Sequence, residues 1–210
     1  MFIKICGLRD AQTARHAITA GADAVGVVMS ERSPRNATPE QAREVAKAAR
    51  ASGGTSVLVV NDMPASAAAD TALDLGFDIL QLHGAYTARD FAKALAVIPR
   101  VWRATSLARE PQLRAGEYGE EHLLVDGATP GSGETWDVTR LSVDFADRLG
   151  DRWLLAGGLN PANVEDAIKA ASPWGVDVSS GVEHARGQKD PALISSFITA
   201  ARRRVAQNPG

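Results

Sequence analysis

The feature that most constrains the fold is a repeated alternation along the whole chain. Short runs of aliphatic and β-branched residues alternate with alanine-rich stretches that have a helical period. The apolar runs are Phe2–Cys6, Ala24–Met29, Thr55–Val60, Phe77–His83, Arg100–Ala104, His122–Asp126, Arg152–Ala156 and Trp174–Ser179. Alternating strands and helices are typical of parallel sheets, because each helical crossover returns the chain to the same edge of the sheet.

The predicted helices begin and end at recognisable capping residues. Thr38 and Pro39 supply an N-cap hydroxyl and a first-turn proline, and Gly76 can end a helix in the left-handed conformation. The helical stretches are Ala11–Ala20, Pro39–Ala51, Ala65–Leu75, Ala88–Val97, Val138–Leu149, Ala162–Ala171 and Pro191–Ala206. Between the fifth and sixth strands we expect at most a short or broken helix, because that segment contains Pro111 and Gly116.

Two α/β architectures fit this alternation, an open doubly wound sheet and a closed barrel. An open sheet usually has fewer strands and carries a glycine-rich turn after the first one. Here the glycine pairs follow the sixth, seventh and eighth strands instead. The length of 210 residues is also within the range of single α/β barrels. The sequence therefore predicts a single (β/α)8 TIM barrel, with residues 1–210 forming one domain.

Composition excludes several classes of function. Lys and Arg total 23 against 25 Asp and Glu, so the chain lacks the basic surface that a nucleic-acid partner requires. One cysteine excludes an intrachain disulfide, and the 4 histidines have no metal-ligand spacing, so no metal site is predicted. No stretch reaches the roughly 18 apolar residues of a membrane span. We expect a cytoplasmic protein without a membrane or nucleic-acid partner.

The lone cysteine lies at the end of the first predicted strand. Cys6 is followed by Gly7 and shares a strand face with Lys4, a cation that favours the thiolate. Asp126 ends the sixth strand. The carboxyl ends of all barrel strands meet at one mouth, where a thiol and a carboxyl group can act as base and acid. The alternatives are a cysteine that only packs in the core and an aspartate that only caps a strand.

Two other strand ends carry the residues of a phosphate site. Gly157 and Gly158 follow the seventh strand, and Ser179, Ser180 and Gly181 follow the eighth. Backbone N–H groups at such glycines, serine hydroxyls and a helix that starts near Gly181 can bind a phosphate dianion. Either segment alone is also consistent with an ordinary turn. Together, on neighbouring strands, they favour phosphate binding.

Three further polar positions and one loop remain open at this stage. Gln81 and His83 end the fourth strand and can either orient a ligand or be structural. Arg35 lies on the loop after the second strand, and from its spacing alone we expect a solvated surface arginine. The glycine-rich loop at Gly131–Glu134 lacks the lysine of a nucleotide-binding P-loop. It is interpreted either as a loop above the mouth or as a glycine-rich edge that contacts the same phosphate.

The motifs resemble those of the phosphoribosylanthranilate isomerase family, and they extend over almost the whole chain. They are Lys4-Ile5-Cys6-Gly7, Ser33-Pro34-Arg35, Gln81-Leu82-His83-Gly84, Leu124-Val125-Asp126, Ala156-Gly157-Gly158-Leu159 and Gly175-Val176-Asp177-Val178-Ser179-Ser180-Gly181-Val182-Glu183. The resemblance implies an Amadori rearrangement of N-(5-phosphoribosyl)anthranilate to 1-(2-carboxyphenylamino)-1-deoxyribulose 5-phosphate, in tryptophan biosynthesis. The small-molecule partner is then a phosphorylated aminosugar, and the enzyme is expected to be a monomer or a homodimer that needs no cofactor or metal.

The same resemblance assigns roles to individual residues. It implies that Asp126 protonates the ring oxygen and that the Cys6 thiolate removes the proton from C2 of the sugar. It further implies that Arg35 binds the anthranilate carboxylate and that Asp177 orients the amino nitrogen or assists the acid. The phosphate would be bound by the backbone of Gly157, Gly158 and Gly181, with the hydroxyl of Ser179 or Ser180.

Two alternatives remain. The first is a related isomerase of histidine biosynthesis, or a dual-substrate version that serves both pathways; such enzymes use an aspartate at the end of the first strand, where this chain has Cys6. A catalytically inactive barrel that binds a phosphorylated ligand as a sensor would not need Cys6 and Asp126, yet both are present.

Overall fold

The computed structural model describes residues 1–127 and 146–203, which fold as a closed barrel of eight parallel strands. The strands are β1 (Phe2–Cys6), β2 (Ala24–Val28), β3 (Thr55–Val60), β4 (Ile79–His83), β5 (Val101–Ser106), β6 (His122–Asp126), β7 (Trp153–Leu155) and β8 (Gly175–Val178). Each strand pairs with the next, and β8 pairs with β1 to close the barrel. The predicted TIM-barrel fold is confirmed.

Helices alternate with the strands, as predicted, and residues 138–145 and 204–206 of the predicted helices Val138–Leu149 and Pro191–Ala206 lie outside the described residues. They are α1 (Ala11–Thr19), α2 (Pro39–Ala51), α3 (Ala65–Leu75), α4 (Ala88–Leu95), α5 (Ala146–Leu149), α6 (Val164–Ala171) and α7 (Pro191–Arg202). The capping box at Thr38 and Gln41 fixes the start of α2 at the predicted residue. Helix α6 begins two residues later than predicted, because the Asn160 side chain accepts from the N–H of Ala162 in a preceding turn.

No helix lies between β5 and β6 in the described part of the chain, in agreement with the prediction. On the outer face of β5, where a helix would otherwise pack, the side chain of Arg103 contacts the connection between β5 and β6. It is 2% exposed, its guanidinium lies 3.8 Å from the Tyr118 ring centroid, and it forms an ion pair with Glu110. Glu120 is a further carboxylate, 3.6 Å away. Stacking and ion pairing thus stabilise a connection whose glycines and proline disfavour a helix.

The barrel interior changes character from one end to the other. At the amino end of the strands, the ring of Trp174 stacks on Phe2 at 4.6 Å and on His122 at 4.5 Å. Trp102 packs edge-on against Phe2 in the same layer. Toward the carboxyl end the buried residues include four polar ones, Lys4, Gln81, Asp126 and Asp177. A layer of aromatic rings therefore closes the amino end of the barrel, and the buried polar side chains lie at the carboxyl end.

None of the helices within residues 1–127 and 146–203 has the length and apolarity that crossing a bilayer would require.

Candidate active site

A lysine, a thiol and a carboxylate lie together at the carboxyl ends of β1 and β8. Lys4 is fully buried, and its Nζ donates a 2.7 Å hydrogen bond to Oδ1 of Asp177, the residue opposite it in the pairing of the two strands. Gly26 on β2 lies opposite Cys6. A Cβ at Gly26 would lie 2.9 Å from the Cys6 Sγ and 3.2 Å from the Lys4 Nζ. The glycine therefore provides the space in which the thiol and the ammonium group meet.

Burial determines the protonation of this cluster. It raises the pKa of the Cys6 thiol, and the opposing attraction of Lys4 is too small to reverse that shift. Lys4 favours the thiolate, as predicted, since its charge lowers the pKa of Cys6, but burial is the larger effect and leaves that pKa raised. For Lys4, burial lowers the pKa, but the interactions with Asp177 and Cys6, of which the charge of Asp177 is the largest, outweigh burial and leave the pKa raised. The resting site contains a charged Lys4 beside a neutral thiol.

Asp126 and His83 face each other at the ends of β6 and β4. Burial raises the pKa of Asp126 to about 6, against the effect of the Gly127 N–H, which donates to its Oδ1 at 2.8 Å. Burial also lowers the pKa of His83 to about 4, so the imidazole is neutral near pH 7. His83 Nε2 and Asp126 Oδ2 are 3.7 Å apart, too far for a hydrogen bond. Asp126 can therefore exchange a proton close to neutral pH.

These groups line one cavity at the mouth of the barrel. Its lining residues are Cys6, Val28, Ser33, Arg35, Val59, Val60, Asn61, Gln81, His83, Asp126, Asp177 and Ser179. Two buried polar atoms, Gln81 Oε1 and His83 Nε2, have no hydrogen-bond partner in the described part of the protein. Buried polar atoms without partners are costly, so their presence in a cavity indicates a site for a polar ligand.

Arg35 is buried, which contradicts the expectation of a solvated surface arginine. It is 7% exposed, and its Nε and Nη2 donate to the two carboxylate oxygens of Glu183 at 2.7 and 3.0 Å. Gly7, at a φ of +83°, permits this placement, because a Cβ there would lie 2.7 Å from the Arg35 Cδ. The spacing argument failed because both contacts come from residues distant in sequence.

The glycine turns after β7 and β8 lie against each other. Gly157 and Gly158 have φ values of +87° and +67°, which favour glycine. A Cβ at Gly181 would lie 1.9 Å from the carbonyl oxygen of Leu159, so only glycine permits this approach of the two loops. The helix expected near Gly181 is a single 3-10 turn, Ser180–Val182, followed by a hairpin of β9 (Glu183–Ala185) and β10 (Gln188–Lys189). The predicted loop at Gly131–Glu134 lies outside the described residues.

The structure brings together predicted residues from five strands or their loops, and it adds others that were not predicted. Glu183 belongs to the motif that contains Ser179, but no role for it follows from the sequence, and no motif indicates Asn61 or Lys189. Lys189 Nζ donates to the carbonyl and hydroxyl oxygens of Ser179, at 2.8 and 3.2 Å. Within the described ranges, no group of three or more His, Cys, Asp or Glu side chains is arranged to hold a metal ion.

Comparisons with known proteins agree on one family. The family model described as N-(5'phosphoribosyl)anthranilate (PRA) isomerase matches residues 3–200. The N-(5'-phosphoribosyl)anthranilate isomerase of Paracoccus denitrificans is 41% identical over 95% of this chain and 96% of its own length. The crystal structure of TrpF from Jonesia denitrificans has 48% identity and a TM-score of 0.88, and it covers 99% of this chain and 100% of that one.

Two further structures bear on ligand and assembly. A phosphoribosyl anthranilate isomerase in complex with reduced 1-(o-carboxyphenylamino)-1-deoxyribulose 5-phosphate is 33% identical, with a TM-score of 0.82 over 96% of this chain and 98% of that one. A structure of monomers generated from the dimeric Thermotoga maritima isomerase has the same identity, TM-score and coverage.

Proposed function

Since this chain belongs to the N-(5'-phosphoribosyl)anthranilate isomerase family, we propose that Cys6 and Asp126 are the base and the acid of the rearrangement that it catalyses. The reaction converts N-(5'-phosphoribosyl)anthranilate to 1-(2-carboxyphenylamino)-1-deoxyribulose 5-phosphate, a step of tryptophan biosynthesis. The observation that carries the proposal is that both side chains line one cavity, from strands on different sides of the barrel.

Asp126 is suited to the first step. With a pKa of about 6, the carboxyl group retains a usable fraction of its proton near neutral pH. It donates that proton to the furanose ring oxygen, the bond from this oxygen to C1 breaks, and the amino nitrogen supplies the electron pair of the resulting iminium ion. Neutral His83 adds no positive charge that would keep Asp126 ionised. The ionised Asp126 can then take back a proton during product formation.

Cys6 is suited to the second step. Its thiolate removes the proton from C2, the C–H electron pair forms a C1–C2 double bond, and the iminium nitrogen becomes neutral. The enolamine then gains a proton at C1 and loses one from the C2 hydroxyl, which gives the ketone. The ammonium of Lys4 stabilises the thiolate, and the positive charge of the iminium ion favours its formation at the moment it is needed. Asp177, which accepts a hydrogen bond from Lys4 and also lines the cavity, would orient the amino nitrogen.

The phosphate belongs at the two glycine turns. Backbone N–H groups of Gly157, Gly158 and Gly181 would surround it, since the loops lie in contact there. The Ser179 hydroxyl already donates to the carbonyl oxygen of Cys6 at 3.1 Å. This leaves the hydroxyl of Ser180 as the better donor to phosphate, with Ser179 fixing the loop to the strand that carries the base.

Arg35 would bind the substrate carboxylate. Gln81 Oε1 and His83 Nε2, which have no partner in the described part of the protein, would form hydrogen bonds with other polar groups of the substrate. Arg35→Ala is expected to weaken binding of the reduced product analogue about 10- to 100-fold, the worth of a charge-assisted hydrogen-bonded pair. Calorimetric titration of the analogue measures the effect. Unaltered affinity would assign Arg35 a purely structural role.

The activity itself has a direct test. Expression of the chain in a tryptophan auxotroph that lacks this isomerase is expected to restore growth without tryptophan, and Cys6→Ala is expected not to. Growth failure by a folded, expressed wild-type protein would favour the inactive, ligand-binding barrel. Rescue of a histidine auxotroph blocked at the related isomerase would indicate a second substrate.

We also propose a cytoplasmic location and a monomeric or homodimeric state. A substrate with both a phosphate and a carboxylate does not cross a bilayer unaided, so it is used where it is made. The dimeric Thermotoga maritima relative supports the homodimer as one of the two states.

A further inference from the structure

We propose that Glu183 is a positioning residue that holds one edge of the Arg35 guanidinium, so that the other edge is presented to the aromatic carboxylate of the substrate. The inference rests on the proposed binding role of Arg35. It concerns a buried carboxylate for which the acid–base steps have no use, and it predicts that substrate selectivity depends on a residue that does not itself touch the substrate.

The Glu183 carboxylate is fully occupied by donors of the protein. Its Oε1 accepts from Arg35 Nε and from Lys189 Nζ, both at 2.7 Å. Its Oε2 accepts from Arg35 Nη2 at 3.0 Å and from the backbone N–H of Gly187 at 2.9 Å. These contacts lower the pKa of Glu183 to about 2 although burial opposes the shift. A carboxylate with four donors, and a side chain only 4% exposed, has no capacity to bind substrate directly.

The geometry leaves the useful edge of Arg35 free. A guanidinium has five N–H donors, arranged as a side edge of Nε and Nη2 and an end edge of Nη1 and Nη2. Glu183 uses the side edge, with one hydrogen from each nitrogen. Nη1 has no hydrogen-bond partner within residues 1–127 and 146–203, and Arg35 lines the cavity. The end edge can therefore bind a second carboxylate through two parallel hydrogen bonds.

Glu183 is itself held in place by the hairpin that follows the 3-10 turn. A Cβ at Gly187 would lie 2.7 Å from the carbonyl oxygen of Pro34, so the hairpin packs against the loop that carries Arg35. Arg9 Nη2 donates to the carbonyl of Gly187 at 2.8 Å, which joins the hairpin to the loop after β1. The acceptor is thus fixed independently of Arg35, as a positioning role requires.

The charges of the cluster also depend on Glu183. Within the cluster two basic side chains, Arg35 and Lys189, pair with the single carboxylate of Glu183, so Glu183 does not have to be shared out to a third cation. Removing Glu183 leaves two buried cations that repel each other. Arg35 would then move away from Lys189 and lose the orientation that two-point carboxylate binding needs.

The test is a double-mutant cycle of Arg35→Ala and Glu183→Ala, read as selectivity. Two probes are titrated into each protein: reduced 1-(o-carboxyphenylamino)-1-deoxyribulose 5-phosphate and the same compound without its aromatic carboxylate. Selectivity is the Kd of the compound without the carboxylate divided by the Kd of the compound with it. This ratio separates recognition of the carboxylate from any general loss of binding. We expect Glu183→Ala alone to reduce the ratio about 10-fold, and to reduce it no further when Arg35 is already alanine.

The other outcomes are distinguishable. If Arg35→Ala leaves the ratio unchanged, the proposed role of Arg35 fails. If Arg35→Ala lowers the ratio but Glu183→Ala leaves it unchanged, only the positioning role of Glu183 fails. The same conclusion holds if Glu183→Ala lowers the ratio equally in the presence of Arg35 and in the Arg35→Ala protein. Glu183→Gln keeps the size and one acceptor oxygen, and should lower the ratio less than alanine; it replaces the alanine variant if that protein does not fold. Glu121→Gln is the matched control, because it removes the charge from an exposed pair with Arg100 before β6 and keeps an acceptor for the Trp102 indole N–H, and the ratio should not change.

Discussion

Replacing Cys6 by serine is expected to lower kcat about 10²- to 10⁴-fold, the usual contribution of a positioned general base. A serine hydroxyl ionises far less readily than a thiol, and burial, which already raises the pKa of Cys6, would disfavour its alkoxide as well. The Kd of the reduced product analogue should change little, since sulfur and oxygen occupy the same place. Steady-state kinetics and calorimetry on the same preparation measure both quantities.

Two variants separate loss of the base from disturbance of the cavity. Cys6→Ala is expected to be about as inactive as the serine variant, because both lack a usable thiolate. Val59→Thr introduces a hydroxyl group into a buried side chain of the same cavity, and it should retain most of the activity. Near-native turnover of Cys6→Ser would remove Cys6 from the chemistry.

Much of the architecture follows from local patterns. The fold could be predicted because each strand is a short apolar run, and because residues such as Thr38 and Gly76 mark helix ends by interactions within a few positions. The same logic predicted that Cys6 and Asp126 lie at one mouth, since a parallel barrel brings the strand ends together, whereas the place of Asp177 in the site was implied by the family resemblance. Their lining of a common cavity agrees with this prediction, while their catalytic roles stay predictions.

The electrostatics of the site could not be predicted in this way. Arg35 and Glu183 are 148 positions apart, and their ion pair depends on how two loops pack rather than on either local sequence. The pKa of Cys6 depends on the balance between burial and the nearby Lys4, and only the packed structure shows that burial is the larger effect. Proximity along a strand gives the sign of one interaction but not the sign of the sum.

Replacing Asp126 by asparagine is expected to lower kcat/KM about 10²- to 10⁴-fold and to change the shape of its pH profile. Asparagine keeps the acceptor for the Gly127 N–H but cannot donate a proton as an acid does. The productive wild-type form carries a proton on Asp126 and none on Cys6. The pKa of Asp126 is about 6 and that of Cys6 is raised, so this form is a small, constant fraction of the enzyme between the two values.

The sign of each limb follows. Below pH 6 both groups of the wild type are protonated, and kcat/KM falls about tenfold per pH unit from this pair. Above the pKa of Cys6 both groups are ionised, and kcat/KM falls again. In Asp126→Asn only Cys6 of this pair still titrates. The kcat/KM of this variant, as far as it depends on the pair, therefore rises with pH up to the thiol pKa, with no break at pH 6.

The substrate phosphate also titrates near pH 6, so the profile of the wild type alone does not identify the acid. The difference between the two profiles does, because the phosphate contributes equally to both. Asp23→Asn, at the opposite end of the barrel before β2, serves as the control and should keep the wild-type shape. Since kcat/KM reports ionisations of the free enzyme, a break that persists unchanged in Asp126→Asn would mean that another group donates the proton to the ring oxygen.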